Sequence, residues 1–182
     1  MANILTGNPF VIDSPGIICN KPLVISTIIY IPAAANNVLQ LNQWFEDKAP
    51  VLSLRAKTGT VTLTKTLTIT DEFAAGAAGD MVRILTTTGA SANLGRRQIE
   101  SLTSNDAIII VEDTWTNEAS QVYDLDVFTS TLAAYLKAGA SDASPVVFYP
   151  QDYLRVANLL VHTITAGTAY IYFKEGAYSS NG

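Results

Sequence analysis

The sequence predicts an all-β protein, an antiparallel β-sandwich or jelly roll with one short helix. The strongest observation is that threonine occupies every second position from Thr58 to Thr70, with Val61, Leu63, Leu67 and Ile69 between. Side chains of a strand alternate faces, so this spacing makes one hydroxyl face and one apolar face, whereas a helix would scatter both sets. The segment reads as one strand or as two joined by a tight bend. A second observation is the recurrence of short runs rich in Ile, Val, Thr and Tyr, bounded by Gly, Pro, Asn and Ser. About eight or nine such runs at short spacing favour antiparallel sheets over an alternating βαβ arrangement.

Taken in order, residues 1–21 read as an irregular N-terminal arm, with Pro9, Pro15 and Gly16 punctuating the short apolar piece Phe10-Val11-Ile12. Residues 23–31 are strand-forming and stop at Pro32. Residues 33–43 read as a loop or a short strand around Val38-Leu39. Residues 51–56 form a strand before the turn signal at Gly59 and the threonine segment. The small residues 74–79 make a loop, 81–87 a strand and 88–95 a polar turn. Residues 107–111 are too short for a helix and too rich in isoleucine for a loop, so they read as a buried strand.

An acidic connection over 112–126 carries Trp115 and Tyr123. Phe128, Leu132, Tyr135 and Leu136 then recur at helical spacing and stop at Gly139, which predicts the one helix. Residues 141–145 are a loop, and 146–149, 154–164 and 168–173 are closing strands, the last two joined at Thr165-Ala166-Gly167. The expected organisation is an arm (1–21), a single β domain (22–176) with 74–145 as a candidate insertion, and a flexible C-terminal tail (177–182).

Composition narrows the function. A chain of 182 residues suits one domain and buries enough surface to need neither metal nor disulfide. Charged residues make up only 15% and mean hydropathy is +0.24, so surface bare in a monomer is expected to be covered in the working state. The net charge is −5, and 98–136 contain no Lys or Arg, which argues against nucleic-acid binding. Cys19 is the lone cysteine and fits synthesis in a reducing compartment. The start lacks the basic residues of a signal peptide, and the apolar run 22–35 is too short to span a bilayer and contains Pro32. A soluble protein made in the cytoplasm, with no membrane partner, is expected.

Chemistry is sparse. His162 is the single histidine and sits in the apolar run Leu159-Leu160-Val161, without a nucleophile motif around it, so it reads as an ordinary strand residue. One His and one Cys nearly exclude zinc. Glu112-Asp113 and Asp124-x-Asp126 are the best calcium candidates, yet their spacing matches no calcium loop, and nothing marks any two carboxylates as a glycosidase pair. Gly76-Ala77-Ala78-Gly79 lacks the Lys-Ser/Thr of a phosphate loop. A single threonine-lined strand does not make an ice-binding surface, and Thr60, Thr62, Thr64, Thr66 and Thr68 read as an exposed or intersubunit face. No enzyme activity, metal or cofactor is expected.

The two ends carry a resemblance. Asn8-Pro9-Phe10-Val11-Ile12-Asp13-Ser14-Pro15-Gly16 resembles the Asn-Pro-aromatic-Val-Ile-Asp opening of small structural proteins of tailed phages. Thr165-Ala166-Gly167-Thr168-Ala169-Tyr170-Ile171-Tyr172-Phe173 is similar to their closing strand, while 74–145 have no counterpart in that pattern. The resemblance implies a virion component on the capsid exterior, made in the host cytoplasm: a decoration or cement protein that binds the major capsid protein. Such a protein is expected to act as a homotrimer, with Asn8, Pro9, Phe10, Val11 and Ile12 of the arm as the docking segment. The alternative is a carbohydrate- or receptor-binding module of a tail or fibre, stacking sugars on Trp115 or Tyr123.

Overall fold

Strand-forming runs from the two ends of the chain pair with each other, and the stretch between them closes on itself. The structure is a computed structural model and describes residues 3–174; the tail expected at 177–182 lies outside them. One compact unit takes the chain up to Gln43 and again from Thr131, and the other is Trp44–Ser130. The nested segment therefore starts and ends well ahead of 74–145, because the threonine segment pairs with strands that follow it rather than with either end of the chain.

The end-built unit holds two antiparallel sheets. Its strands are β1 (Phe10–Ile12), β2 (Gly16–Cys19), β3 (Leu23–Pro32) and β4 (Val38–Trp44) from the first passage. The middle segment supplies β5 (Leu52–Thr62), β6 (Thr66–Thr68), β7 (Met81–Thr87), β8 (Gly95–Thr103), β9 (Ala107–Ile110) and β10 (Glu118–Phe128). The return passage adds β11 (Ser130–Lys137), β12 (Val146–Phe148), β13 (Leu154–Val156), β14 (Leu159–Ile164) and β15 (Gly167–Phe173). One sheet runs β1-β15-β3-β12, with β13 also on β3, and the other runs β11-β4-β14-β2.

A single core draws on both sheets: Phe10, Ile12, Ile28, Tyr30 and Ile171 from the first, and Leu39, Leu41, Leu136, Leu159 and Val161 from the second. In β3 the buried positions are Leu23 and Ile25, then Ile28, Tyr30 and Pro32. The change of phase coincides with a register shift, where Tyr172 faces Thr27 but Phe173 faces Ile25. Residues 1–21 are thus not a free arm. Phe10 and Ile12 are core residues, β1 is hydrogen-bonded to β15, and the Phe10 ring packs on Phe173 at 4.7 Å.

The middle segment forms a closed antiparallel barrel in the order β10-β5-β6-β9-β8-β7. Closure leaves no unpaired edge, and six strands enclose only enough space for side chains. Leu54, Val61, Leu67, Phe73, Ile84, Ile99, Ile108 and Leu125 are among those that fill it. The threonine segment is a hairpin, with Thr60 opposite Thr68 and Thr62 opposite Thr66. Leu63, expected on the apolar face, instead lies in the turn and is 77% exposed. Leu63 and Thr64 both have positive φ, as a type I′ turn requires, and the Lys65 N–H donates to the Thr62 carbonyl at 3.3 Å.

Among the described residues there is no α-helix, only a 3-10 turn at Ser91–Asn93. The expected helix is β11. From Ala134 its burial follows period two, with Ala134 and Leu136 inside and Tyr135 and Lys137 outside, while Leu132 is exposed. The helical spacing of the large residues was a coincidence created by the small alanines that occupy the core positions between them.

Two outcomes are expected. Phe10→Ala should cost about 3–5 kcal/mol in chemical denaturation, as a core truncation does and loss of a docking anchor would not. Leu63→Asn should raise stability by about 1 kcal/mol, because asparagine tolerates the left-handed backbone and exposes no leucine.

Candidate functional site

The residues singled out by sequence do not converge. Asn8 is spent on the backbone of Phe173, accepting its N–H at 3.1 Å and donating to its carbonyl at 2.8 Å. Phe10 and Ile12 face the core, and only Pro9 and Val11 of that segment are half-buried. Thr60, Thr62, Thr66 and Thr68 form two cross-strand pairs on the outside of the barrel, since Val61 and Leu67 point in. Thr64 stands apart in the turn, its hydroxyl donating to Asp113 and its N–H to Asn117. Trp115 is 2% exposed and Tyr123 is fully buried, so neither presents a face to a sugar.

Four of the five acids of 112–126 are used internally. Asp124 accepts the Ala56 N–H at 2.7 Å and the Thr86 hydroxyl at 2.9 Å, which holds its carboxyl below the usual range and ties down the bulge where Ala56 has positive φ. Asp126 accepts from Arg55 at 2.8 Å and from Ser53. Glu118 accepts from the Tyr123 hydroxyl and the Ala90 N–H. Burial opposes its ionisation, but the hydrogen bonds from Tyr123, Ala90 and Asn93 prevail and hold its carboxyl low. Burial, reinforced by Glu118, pushes the Tyr123 phenol well above its ordinary value. Among the described residues no three His, Cys, Asp or Glu side chains gather to hold a metal.

Spacing in the sequence pointed to none of the barrel's most organised charge cluster. Arg83 and Arg96 face each other across β7 and β8, and Glu46 meets both. Arg96 grips the carboxylate with Nε on Oε1 and a second nitrogen 2.7 Å from Oε2, Arg83 lies 3.2 Å from Oε2, and Trp44 Nε1 donates to Oε1 at 3.4 Å. Arg96 is the main cause that holds the Glu46 carboxyl below its ordinary range. A fork-on-carboxylate pair of this kind is a strong positional lock. Asp80 is a second one: it is buried and accepts the N–H of Ala77 and of Ser130, each at 3.0 Å.

His162 is half-buried on β14, and its Nδ1 has no hydrogen-bond partner. Gln98 Oε1, Glu112 Oε2 and Trp115 Nε1 are likewise unpartnered. Cys19 is buried, its thiol pushed up by burial and donating to the Lys21 carbonyl, the opposite of an activated nucleophile. The carboxylates and guanidiniums described above fix loops, bulges and strand ends.

Glu46→Gln should therefore destabilise the chain by about 1.5–3 kcal/mol, since it leaves two guanidiniums facing a neutral group. The lowered carboxyls of Glu46 and Glu118 give a sign for pH. Their stabilisation is complete above the unfolded value of about 4.3 and is lost as pH falls through the lower folded values. Urea midpoints followed from pH 6 to pH 3 should fall in the wild type and fall less steeply in Glu46→Gln.

The chain matches no family model, no curated protein and no solved structure.

Proposed function

We propose that this protein is a non-enzymatic virion structural component that decorates and stabilises a phage capsid by binding between capsid subunits. The observation that carries the reading is the pairing of β1 with β15. It sets the two segments that bear the phage resemblance side by side, Phe10 opposite Ile171, Val11 opposite Tyr170 and Ile12 opposite Ala169. Segments more than 150 positions apart in the chain are thus one structural feature, as expected if both ends belong to a common scaffold with a barrel nested inside it.

Two further features support it. Glu46, Asp80, Glu118, Asp124 and Asp126 are committed to holding the fold, while apolar side chains such as Ile31, Val147 and Leu132 stay exposed. The end-built unit, with one core fed by two antiparallel sheets, is read as a β-sandwich, a scaffold that tolerates a nested segment. The threonine pairs on the barrel add a hydroxyl-rich face suited to contact with a neighbouring subunit. The carbohydrate reading has lost the platform named for it, since Trp115 and Tyr123 are inside the barrel.

The deciding experiment mixes the purified protein with bare capsids of the phage that carries the sequence and follows co-sedimentation and capsid melting. Saturable binding with a raised capsid melting temperature is the expected result. Absence from purified virions together with no binding to bare capsids would overturn the reading, and glycan binding without capsid binding would move it to a tail or fibre.

A further inference from the structure

We propose that the outward face of the β1-β15-β3-β12 sheet is a self-association surface, and that two copies pack there face to face with their strands antiparallel. The proposal stands apart from the capsid reading, because it rests on this sheet alone. Phe10, Ile12, Ile28, Tyr30, Ala169 and Ile171 point into the core, so the alternate positions point out. One cross-strand row on that side runs Ile4, Val11, Tyr170, Ile29, Val147, each directly opposite the next or bridged to it. Beside it Tyr172 faces Thr27, and Thr168 faces Ile31. No charged side chain interrupts these rows. Ile4 is 54% exposed, Ile31 and Val147 each 42%, and Tyr149, just past β12, 70%.

A face of this composition is unusual for a surface left in water and matches the centre of an interface, where charges are depleted and tyrosines enriched. Its size fits a weak, reversible pairing with a second copy. β15 and β3 have seven and ten residues while β1 and β12 have three each, so the face is made of 23 strand residues, each covering about 3.3 Å by 4.8 Å. That gives roughly 350–400 Å² per copy and about 700–800 Å² in a pair, the size of a transient contact that forms at high protein concentration. Sheets stack readily at about 10 Å with nearly aligned strands.

Charge at the two ends sets the direction. Toward the Pro32 end of β3 lie Asp13, which follows Ile12 and so falls level with Thr168 and Ile31, and Asp142, in the loop before β12. At the Leu23 end lie Lys21, Arg155 opposite Val24, and Lys174, whose N–H donates to the Val24 carbonyl; Asp152 is an acid in the loop before Arg155. A two-fold axis running across the strands lays the acidic end of one copy over the basic end of the other. An axis along the strands would bring like charges together. The result is a two-fold pair rather than the three-fold assembly that the resemblance implies.

Light scattering on the full chain tests this. The expected mass is twice 19.5 kDa, and Val147→Asp and Tyr149→Asp, both at exposed positions, should each weaken association at least tenfold with unchanged circular dichroism. Arg155→Glu should weaken it several-fold at low salt, and added salt should weaken the wild type. A monomer persisting to about 1 mM overturns the proposal, as does a trimer, or a dimer indifferent to both aspartate variants. Tighter or unchanged association in Arg155→Glu overturns the antiparallel arrangement.

Discussion

The pairing of β15 on β3 is the constraint from which the rest of the end-built unit follows. Its register runs from Gly167 opposite Pro32 to Phe173 opposite Ile25, and it joins segments on either side of the barrel. β1 then adds to the free side of β15, and β12 and β13 add to the free side of β3. The lock is reinforced at the turn into β15. The Tyr30 hydroxyl donates to the Ala166 carbonyl at 2.6 Å, and Gly167 has φ +115°, with the Ile31 carbonyl oxygen only 2.2 Å from where a Cβ would sit. Only glycine fits there.

Much of this was legible in the sequence where the signal was local. Alternation at 58–70 gave the all-β class, and Thr165-Ala166-Gly167 gave the last turn. Local signals misled where composition imitated another period. In β11 the residues that carry burial are Ala134 and Leu136, with Ala138 just past its end, and alanine reports neither period, so the large residues Leu132 and Tyr135, both exposed, set a helical spacing. Phe10-Val11-Ile12 was too short to read as a strand without its partner, which lies at 169–171. The Glu46 cluster was invisible for a related reason: its partners are 37 and 50 positions away. The available hint was Arg83, placed between Val82 and Ile84 where an alternating strand must face outward.

In a chain with so few charges, how they are used says much about the molecule. The acids of 112–126 look like a binding surface as a string of letters. In the fold four of the five find a backbone N–H, a hydroxyl or a guanidinium at an irregularity: Asp124 at a bulge, Asp126 beside Arg55, Asp113 at a hairpin turn, and Glu118 beside Gly89, where any side chain would strike its carboxylate. Rigidity is achieved with polar contacts at the margins and apolar packing inside.

The nesting of the barrel also sets an order of events during synthesis. Every strand of the barrel lies within 52–128, so it has all its partners as soon as that stretch has left the ribosome. β1, β2 and β3 emerge earlier but must wait for β12 to β15 before either of their sheets can close. Through that interval Phe10, Ile12, Ile25 and Ile28 have no core to enter. The barrel is thus the natural first folding unit, and the first forty residues are those most dependent on protection by a chaperone or on rapid completion of the chain.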